Sequence, residues 1–173
     1  MFLTETKSCA GCKASFSTGD ENSIHPYIGA LPECWKMYGN ILVKEYENKD
    51  YFNVHRITVD AYASQHIGNQ EDRRARQSAQ VLPIALYLTF EKEENPKKII
   101  EFLKVSTKIK RDWPSLSQIK TPKWITVKDI LPAQTAQEHT ELVKKWGKSV
   151  WDEYSSIHSE IRDLHRHVSL HSS

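Results

Sequence analysis

The side chains best suited to chemistry in this sequence are three cysteines near its beginning, Cys9, Cys12 and Cys34, after which no cysteine follows. Cys9 and Cys12 flank Ala10-Gly11, where the glycine lets the backbone turn tightly enough for two thiolates to face one ion. An odd number of cysteines does not fit a disulfide framework, so the thiols remain free to bind a metal. Zinc is the first candidate.

A closed zinc site is tetrahedral, so three cysteines need a fourth sulfur or imidazole ligand. His25 is the nearest histidine in the sequence, because nine residues separate it from Cys34 and Pro26 biases it toward an extended backbone. His55 and His66 are the alternatives. A thioredoxin-like role is disfavoured, since no strand-turn-helix pattern surrounds the cysteine pair. The predicted zinc ligands are Cys9, Cys12, His25 and Cys34.

A second group of polar side chains lies on the helix predicted over residues 50–66. At about 100° per residue, His55, Tyr62 and His66 fall within about 40° of one another, whereas Asp60 points about 120–140° away. His55 and His66 are roughly 16 Å apart along the helix axis, so they cannot bind the same ion. These side chains are either functional or simply buried polar groups and caps that neighbouring residues satisfy.

The last predicted helix places His158 on the same flank as Trp151, Tyr154 and His165. His158 could therefore face the same interior as His55, and Glu138, Asp152 or Glu153 could add a carboxylate. This arrangement suggests a pocket for acid-base or metal chemistry, which the loop from Trp113 to Trp124 would cover. The alternative is that His158 is structural. The candidate catalytic residues are His55, Tyr62, His66 and His158.

The hydrophobic periodicity predicts an all-α fold, with one domain over residues 1–173. It consists of a loop-rich metal-binding segment at 1–30 and a helical bundle at 31–169. Five helices are expected, at 32–47, 50–66, 70–93, 96–111 and 133–168. The apolar run Val81–Phe90 favours a central buried helix with a local kink at Pro83, and a strand is the competing interpretation. Residues 112–132 are expected to form a long ordered loop with one helical turn at Val127–Leu131.

Composition and charge disfavour several classes of protein, among them dedicated nucleic-acid binders and membrane proteins. The chain has 173 residues, 39% hydrophobic and 27% charged, with a formal net charge of +2, so it lacks the basic excess of a dedicated nucleic-acid binder. Its N-terminal stretch, Met1–Glu5, is too short and too polar for a signal peptide. Its longest apolar run is about half as long as a membrane span requires. We expect a soluble cytoplasmic protein that binds no membrane. The sequence identifies no partner.

Several motifs occur in a specific order along the chain. They are Cys9-Ala10-Gly11-Cys12, His25-Pro26-Tyr27-Ile28-Gly29, Glu33-Cys34-Trp35, His55-Arg56-Ile57-Thr58-Val59-Asp60-Ala61-Tyr62 with Gln65-His66, and Trp146 with Ser149-Val150-Trp151 and His158. Over nearly the whole chain this pattern resembles a family of small bacterial proteins known as a domain of unknown function. One departure is Ile157, which precedes His158 where that family often has paired histidines.

Two functions remain open at this level. The first is a small helical protein in which a structural zinc supports a binding or regulatory module. The second is a metal-dependent or acid-base enzyme with a histidine-lined pocket between the second and last helices. The chain contains no phosphate-binding glycine loop, nucleophile elbow or His-Glu-x-x-His motif, which excludes several common enzyme classes by motif.

Overall fold

The computed structural model describes residues 6–17, 28–117, 119, 123 and 125–171. Within them, a two-stranded hairpin precedes eight α-helices. The strands are β1 (Thr6–Ser8) and β2 (Ser15–Ser17), and the helices are α1 (Pro32–Glu47), α2 (Lys49–Phe52), α3 (His55–Gln65), α4 (Arg73–Phe90), α5 (Pro96–Ser106), α6 (Val127–Ile130), α7 (Ala136–Glu153) and α8 (His158–Leu170). None of the helices in these ranges is long and apolar enough to cross a membrane.

The strands β1 and β2 pair antiparallel, with Thr6 opposite Ser17 and Ser8 opposite Ser15. The segment predicted to be loop-rich at 1–30 therefore contains a short hairpin, which the sequence analysis does not predict. The strand side chains are exposed except for Phe16, which is 5% exposed. Because two short strands bury so little apolar surface, the hairpin needs support from outside itself.

Helix α3 lies at the centre of the bundle, where it packs against α4 and α7. Small side chains allow this close approach: Ala61 and Ser64 are buried on α3, and at Gly147 on α7 the side chains of Ile57 and Phe90 leave no room for a Cβ. The apolar run at the end of α4 is helical and most of its side chains are buried, so the buried helix predicted there, and not the competing strand, is confirmed.

Two predicted helices are interrupted. The helix expected over 50–66 is divided into α2 and α3 at Asn53 and Val54, where Val54 departs from helical geometry with ψ near 6°. The helix expected over 133–168 breaks at Tyr154, and a 3-10 turn at Ser155–Ile157 follows. The buried hydroxyl of Tyr154 donates to the backbone oxygen of Ser64 at 2.6 Å, which holds the chain in place at the break.

A buried polar cluster joins α1, α3 and α7. The carboxylate of Glu45, which is 0% exposed, accepts hydrogen bonds from His55 Nδ1 at 2.7 Å and from His139 Nε2 at 2.8 Å. The hydroxyl of Thr58 donates to the same carboxylate at 2.5 Å. Burial alone would raise the pKa of Glu45, but these hydrogen bonds outweigh it and lower the pKa below its ordinary value. Glu45 therefore remains ionised and fixes both imidazoles.

Gly147 offers a direct test of the packing between α3, α4 and α7. A Cβ at this position would lie 2.5 Å from Ile57 Cγ2 and 2.9 Å from the Phe90 ring. We expect Gly147→Ala to lower the free energy of unfolding by about 1–3 kcal/mol, because the core must shift to admit the methyl group. Gly39→Ala is the matched control, since nothing lies within 4 Å of its Cβ position. The control should be neutral or should stabilise by up to about 1 kcal/mol in urea unfolding. Equal effects at both sites would contradict the packing described.

Glu45→Gln tests the buried cluster. The amide keeps the side-chain size but places an NH₂ group against an imidazole N–H, so we expect a loss of about 1–3 kcal/mol in the free energy of unfolding near neutral pH. Glu47→Gln, on the exposed side of the same helix, is the control and should change stability by less than about 0.5 kcal/mol.

The effect of Glu45→Gln should also depend on pH. Because the pKa of Glu45 is lowered in the folded state, its ionised form contributes stability that is present above the ordinary pKa of 4.5 and is lost as pH falls through the folded-state pKa. Asp60 changes the stability with pH in the opposite direction, because burial raises its pKa to about 6 despite the nearby charge of Arg56. This contribution is present in both proteins, so it cancels when the stability of the variant is subtracted from that of the wild type. Urea unfolding at several pH values should show this difference shrinking in acid, and a constant difference would count against the role of the carboxylate.

Candidate metal centre

Three thiols and one imidazole meet where the hairpin contacts α1 and the end of α3. The ligand atoms of Cys9, Cys12, Cys34 and His66 all lie within 4.8 Å of one another. Cys9, Cys34 and His66 are 0% exposed and Cys12 is 3% exposed. Four soft or borderline donors that converge inside a protein are compatible with the ligand set of a metal site.

The turn of the hairpin positions Cys9 and Cys12. The backbone N–H of Cys9 donates to the oxygen of Ala14 at 2.8 Å, and that of Lys13 donates to the oxygen of Cys9 at 3.0 Å. Lys13 has a φ of 64°, and its ammonium group donates to the oxygen of Ala10 at 2.5 Å. These bonds close a turn that points both thiols inward.

Cys34 lies in the first turn of α1, after Pro32 at the start of the helix. The N-terminal end of a helix carries partial positive charge, which favours the thiolate form. Its Sγ is 3.9 Å from Cys12 Sγ and 3.3 Å from His66 Nε2. Around a tetrahedral zinc, sulfur atoms lie about 3.8 Å apart, and sulfur and nitrogen about 3.5 Å apart. The observed separations match the edges of such a tetrahedron.

The backbone of α3 fixes the orientation of His66. This residue caps the C-terminus of the helix, and its Nδ1 lies 2.7 Å from the backbone oxygen of Tyr62. Since a carbonyl only accepts, Nδ1 carries the proton, and the lone pair of Nε2 faces the thiols. A hydrogen bond from the second ring nitrogen to a carbonyl is typical of histidines that bind metals.

Tyr62 supports the cluster from α3. Its hydroxyl donates to Cys34 Sγ at 3.6 Å, and its ring stacks on His66 with centroids 4.0 Å apart. Tyr38 stacks on the other face of Tyr62 at 3.8 Å. Burial, followed by the charge of Cys34, raises the pKa of Tyr62 well above its ordinary value, so the phenol stays protonated. It acts as a hydrogen-bond donor to the sulfur.

Two glycines let the backbones approach at this point. A Cβ on Gly11 would lie 2.4 Å from His66 Cδ2 and 2.8 Å from the oxygen of Gln65. A Cβ on Gly29 would lie 2.7 Å from the oxygen of Ile67, next to a bond from the Gly29 N–H to the oxygen of His66 at 3.0 Å. Any side chain at position 11 would therefore push the hairpin away from the imidazole.

The thiols interact strongly with one another. Hydrogen bonds from Cys12 and Cys34 hold the pKa of Cys9 well below its ordinary value. The pKa of Cys12 rises to about 12: its hydrogen bond with Cys34 acts in the lowering direction, but the hydrogen bond with Cys9, burial and the Cys9 charge outweigh it. The hydrogen bond with Cys12, then that with Cys9 and burial, raises the pKa of Cys34. A divalent cation among these sulfur atoms would favour their thiolate forms.

The structure brings the three cysteines together with His66, which the sequence offered as an alternative fourth ligand. His25 lies outside the described residues, and so does Trp124 in the expected lid. Trp113 is 1% exposed and packs in the core.

The four candidate catalytic side chains divide among three places. Tyr62 and His66 belong to the metal centre, whereas His55 binds Glu45 and Tyr46. His158 Nε2 donates to the backbone oxygen of Trp151 at 2.8 Å, and the imidazole stacks on the indole of Trp151 with ring centroids 3.7 Å apart. The other ring nitrogen of His158 lies 3.7 Å from the carboxylate of Glu91. Within the described part of the chain, no hydrogen bond, ion pair or ring contact joins His158 to the other three.

Sequence reasoning missed Glu45 and His139, although a signal was present. Glu45 follows Cys34, Tyr38 and Ile41 at steps of four, three and four residues, which places it on the buried face of α1. His139 similarly begins a buried stripe on α7. A charged residue within an apolar stripe requires a partner, and this rule identifies both positions.

Comparison with protein families gives a match over most of the chain. A model described as a family of unknown function (DUF5946) matches residues 7–155, from β1 to the 3-10 turn after α7. No curated protein and no solved structure matches the chain. The matched range includes all three cysteines and His66, and the resemblance to an uncharacterised family is confirmed. The chain therefore belongs to the DUF5946 family of unknown function.

Proposed function

We propose that this protein is a small helical binding or regulatory module in which one structural zinc ion, held by Cys9, Cys12, Cys34 and His66, fixes the N-terminal hairpin to the bundle. The observation that carries this proposal is the complete burial of four mutually close donors. Catalytic zinc sites keep one position open for water or substrate, whereas structural sites fill all four with protein ligands. The donor set here supplies four.

The donor chemistry supports zinc. Thiolate and imidazole ligands with tetrahedral separations suit zinc, whereas magnesium and calcium prefer oxygen ligands. The three cysteines are free thiols in the structure, as a thiolate site requires. The proposal places the protein in a reducing compartment such as the bacterial cytoplasm, where thiols persist.

The position of the site indicates what the ion would do. Besides its cysteines, the hairpin buries Phe16, over whose ring Lys128 Nζ lies 5.4 Å from the centroid. Lys128 also donates to the oxygen of Ser15 at 2.8 Å. These contacts are few, so metal ligation would supply most of the free energy that holds the hairpin on α1 and α3.

Metal stoichiometry tests the proposal. We expect elemental analysis to find about one zinc per chain in the purified protein, and Cys12→Ser to lose most of it after dialysis against a mild chelator. His158→Asn, whose contacts are with Trp151 and Glu91, is the control and should retain zinc. Full zinc occupancy in Cys12→Ser would remove Cys12 from the site.

The fourth ligand is tested by a pair of histidine variants. Because His66 Nε2 lies 3.3 Å from Cys34 Sγ, we expect His66→Ala to weaken zinc binding by about 10-fold or more and His25→Ala to leave it unchanged. Competition with a chromogenic chelator measures both affinities. The reverse result would identify His25 as the ligand.

Metal removal should loosen the hairpin more than the helices. After treatment with a strong chelator, we expect backbone amides in residues 6–17 to exchange with deuterium about 10-fold faster or more, while those in α4 and α7 change little. Adding zinc back should restore protection. Uniform loss of protection across the helices would instead show that the ion supports the whole bundle.

A further inference from the structure

A second chain of polar groups runs from the core to the surface at the opposite end of α3. The hydroxyl of Tyr46, at the end of α1, lies 3.2 Å from His55 Nε2, and His55 Nδ1 lies 2.7 Å from the carboxylate of Glu45. We call Tyr46, His55 and Glu45 the surface triad. It shares no residue with the metal centre.

The buried carboxylate sets the direction of these hydrogen bonds. Glu45 is ionised and accepts from His55, so the proton of the neutral imidazole lies on Nδ1 and the lone pair on Nε2. The Tyr46 hydroxyl therefore donates to Nε2. A hydroxyl in contact with a base that a third, fixed group orients has the geometry of an activated nucleophile.

The base is rigid and the hydroxyl is accessible. His139 and Thr58 hold Glu45 in place, and the ring of Phe52 stacks on His55 with centroids 4.7 Å apart and planes 13° apart. The His55 side chain is 17% exposed, whereas Tyr46 is 67% exposed. A reagent from solvent can therefore reach the phenol oxygen while the imidazole stays fixed.

We propose that Tyr46 is a reactive acyl-acceptor site. His55 removes the proton from its phenol, and Glu45 holds His55 in the orientation that this requires. In the reaction, the proton of the Tyr46 hydroxyl moves to His55 Nε2 as the phenol oxygen attacks the carbonyl carbon of an activated acyl donor. The bond from the acyl carbon to its leaving group breaks, and the leaving group takes the proton from His55. The products are an acylated Tyr46 and the protonated leaving group.

The surroundings favour an uncharged acyl donor over a phosphoryl donor. The hydrogen bonds, ion pairs and ring contacts of Tyr46, His55 and Phe52 in the described structure involve no arginine or lysine. Phosphoryl transfer depends on such cations or on metal ions to stabilise charge. Instead, the ring of Phe52, which contacts that of Tyr46, is 44% exposed, and Val43, one turn earlier on α1, is 54% exposed.

Acetylation by N-acetylimidazole, an activated acyl donor, tests the site. The rate at Tyr46 is followed by mass spectrometry of proteolytic peptides and compared with N-acetyltyrosine amide in the same solution. An activated Tyr46 should react about 10-fold faster or more than this free phenol, since a positioned general base contributes at least that much. A rate equal to or below that of the free phenol overturns the proposal, and this comparison needs no variant.

His55→Asn tests the base. The asparagine amide can occupy the place of Nδ1 and donate to Glu45, but nothing replaces Nε2. We expect the rate at Tyr46 to fall about 10-fold or more, with the rate at Tyr51 unchanged and the helical circular dichroism retained. His158→Asn is the matched control and should leave the Tyr46 rate unaltered. Equal Tyr46 rates in wild type and in folded His55→Asn overturn the role of His55.

Discussion

The hydrogen bond from His66 Nδ1 to the backbone oxygen of Tyr62 is the constraint on which the candidate metal centre depends. It lies at the C-terminal end of α3, fixes the tautomer of the imidazole and aims Nε2 at the thiols. The hairpin and α1 then bring three sulfur atoms to a fixed nitrogen. Because α3 packs between α4 and α7, the position of that nitrogen is set by the bundle and not by the hairpin.

Gln65 extends this constraint into the core. Its amide donates to the oxygen of Ile125 at 2.6 Å and accepts from the indole of Trp146 at 3.0 Å. The residue next to His66 thus connects the end of α3 with α7 and with the segment before α6. Both polar donor and acceptor of this buried amide are satisfied, which stabilises one rotamer and one register of the helix.

Periodicity and local signals were enough to predict much of this architecture. Apolar spacing and Pro32 marked α1, which begins and ends where predicted, and the apolar run before Phe90 marked the buried helix α4. The cysteine spacing predicted a cluster. In contrast, no glycine or proline in the sequence marks the helix break at Tyr154. The feature that the structure shows there is a tertiary hydrogen bond from Tyr154 to Ser64, which local sequence signals do not reveal. The convergence of His66 with the cysteines likewise depends on how distant segments pack, which spacing along one helix does not encode.

The surface triad and the metal centre lie at opposite ends of α3, so this helix positions two chemically distinct sites. The four donor residues of the candidate metal centre are also synthesised in a fixed order. Cys9, Cys12 and Cys34 leave the ribosome before His66, which follows the last of them by 32 residues. At about 5–20 residues per second, Cys34 emerges roughly 2–6 s before His66, and Cys9 and Cys12 emerge earlier still. During that interval the nascent chain presents reduced thiols that are open to oxidation or to capture of a soft cation, and the four-donor cluster can close only after His66 has emerged.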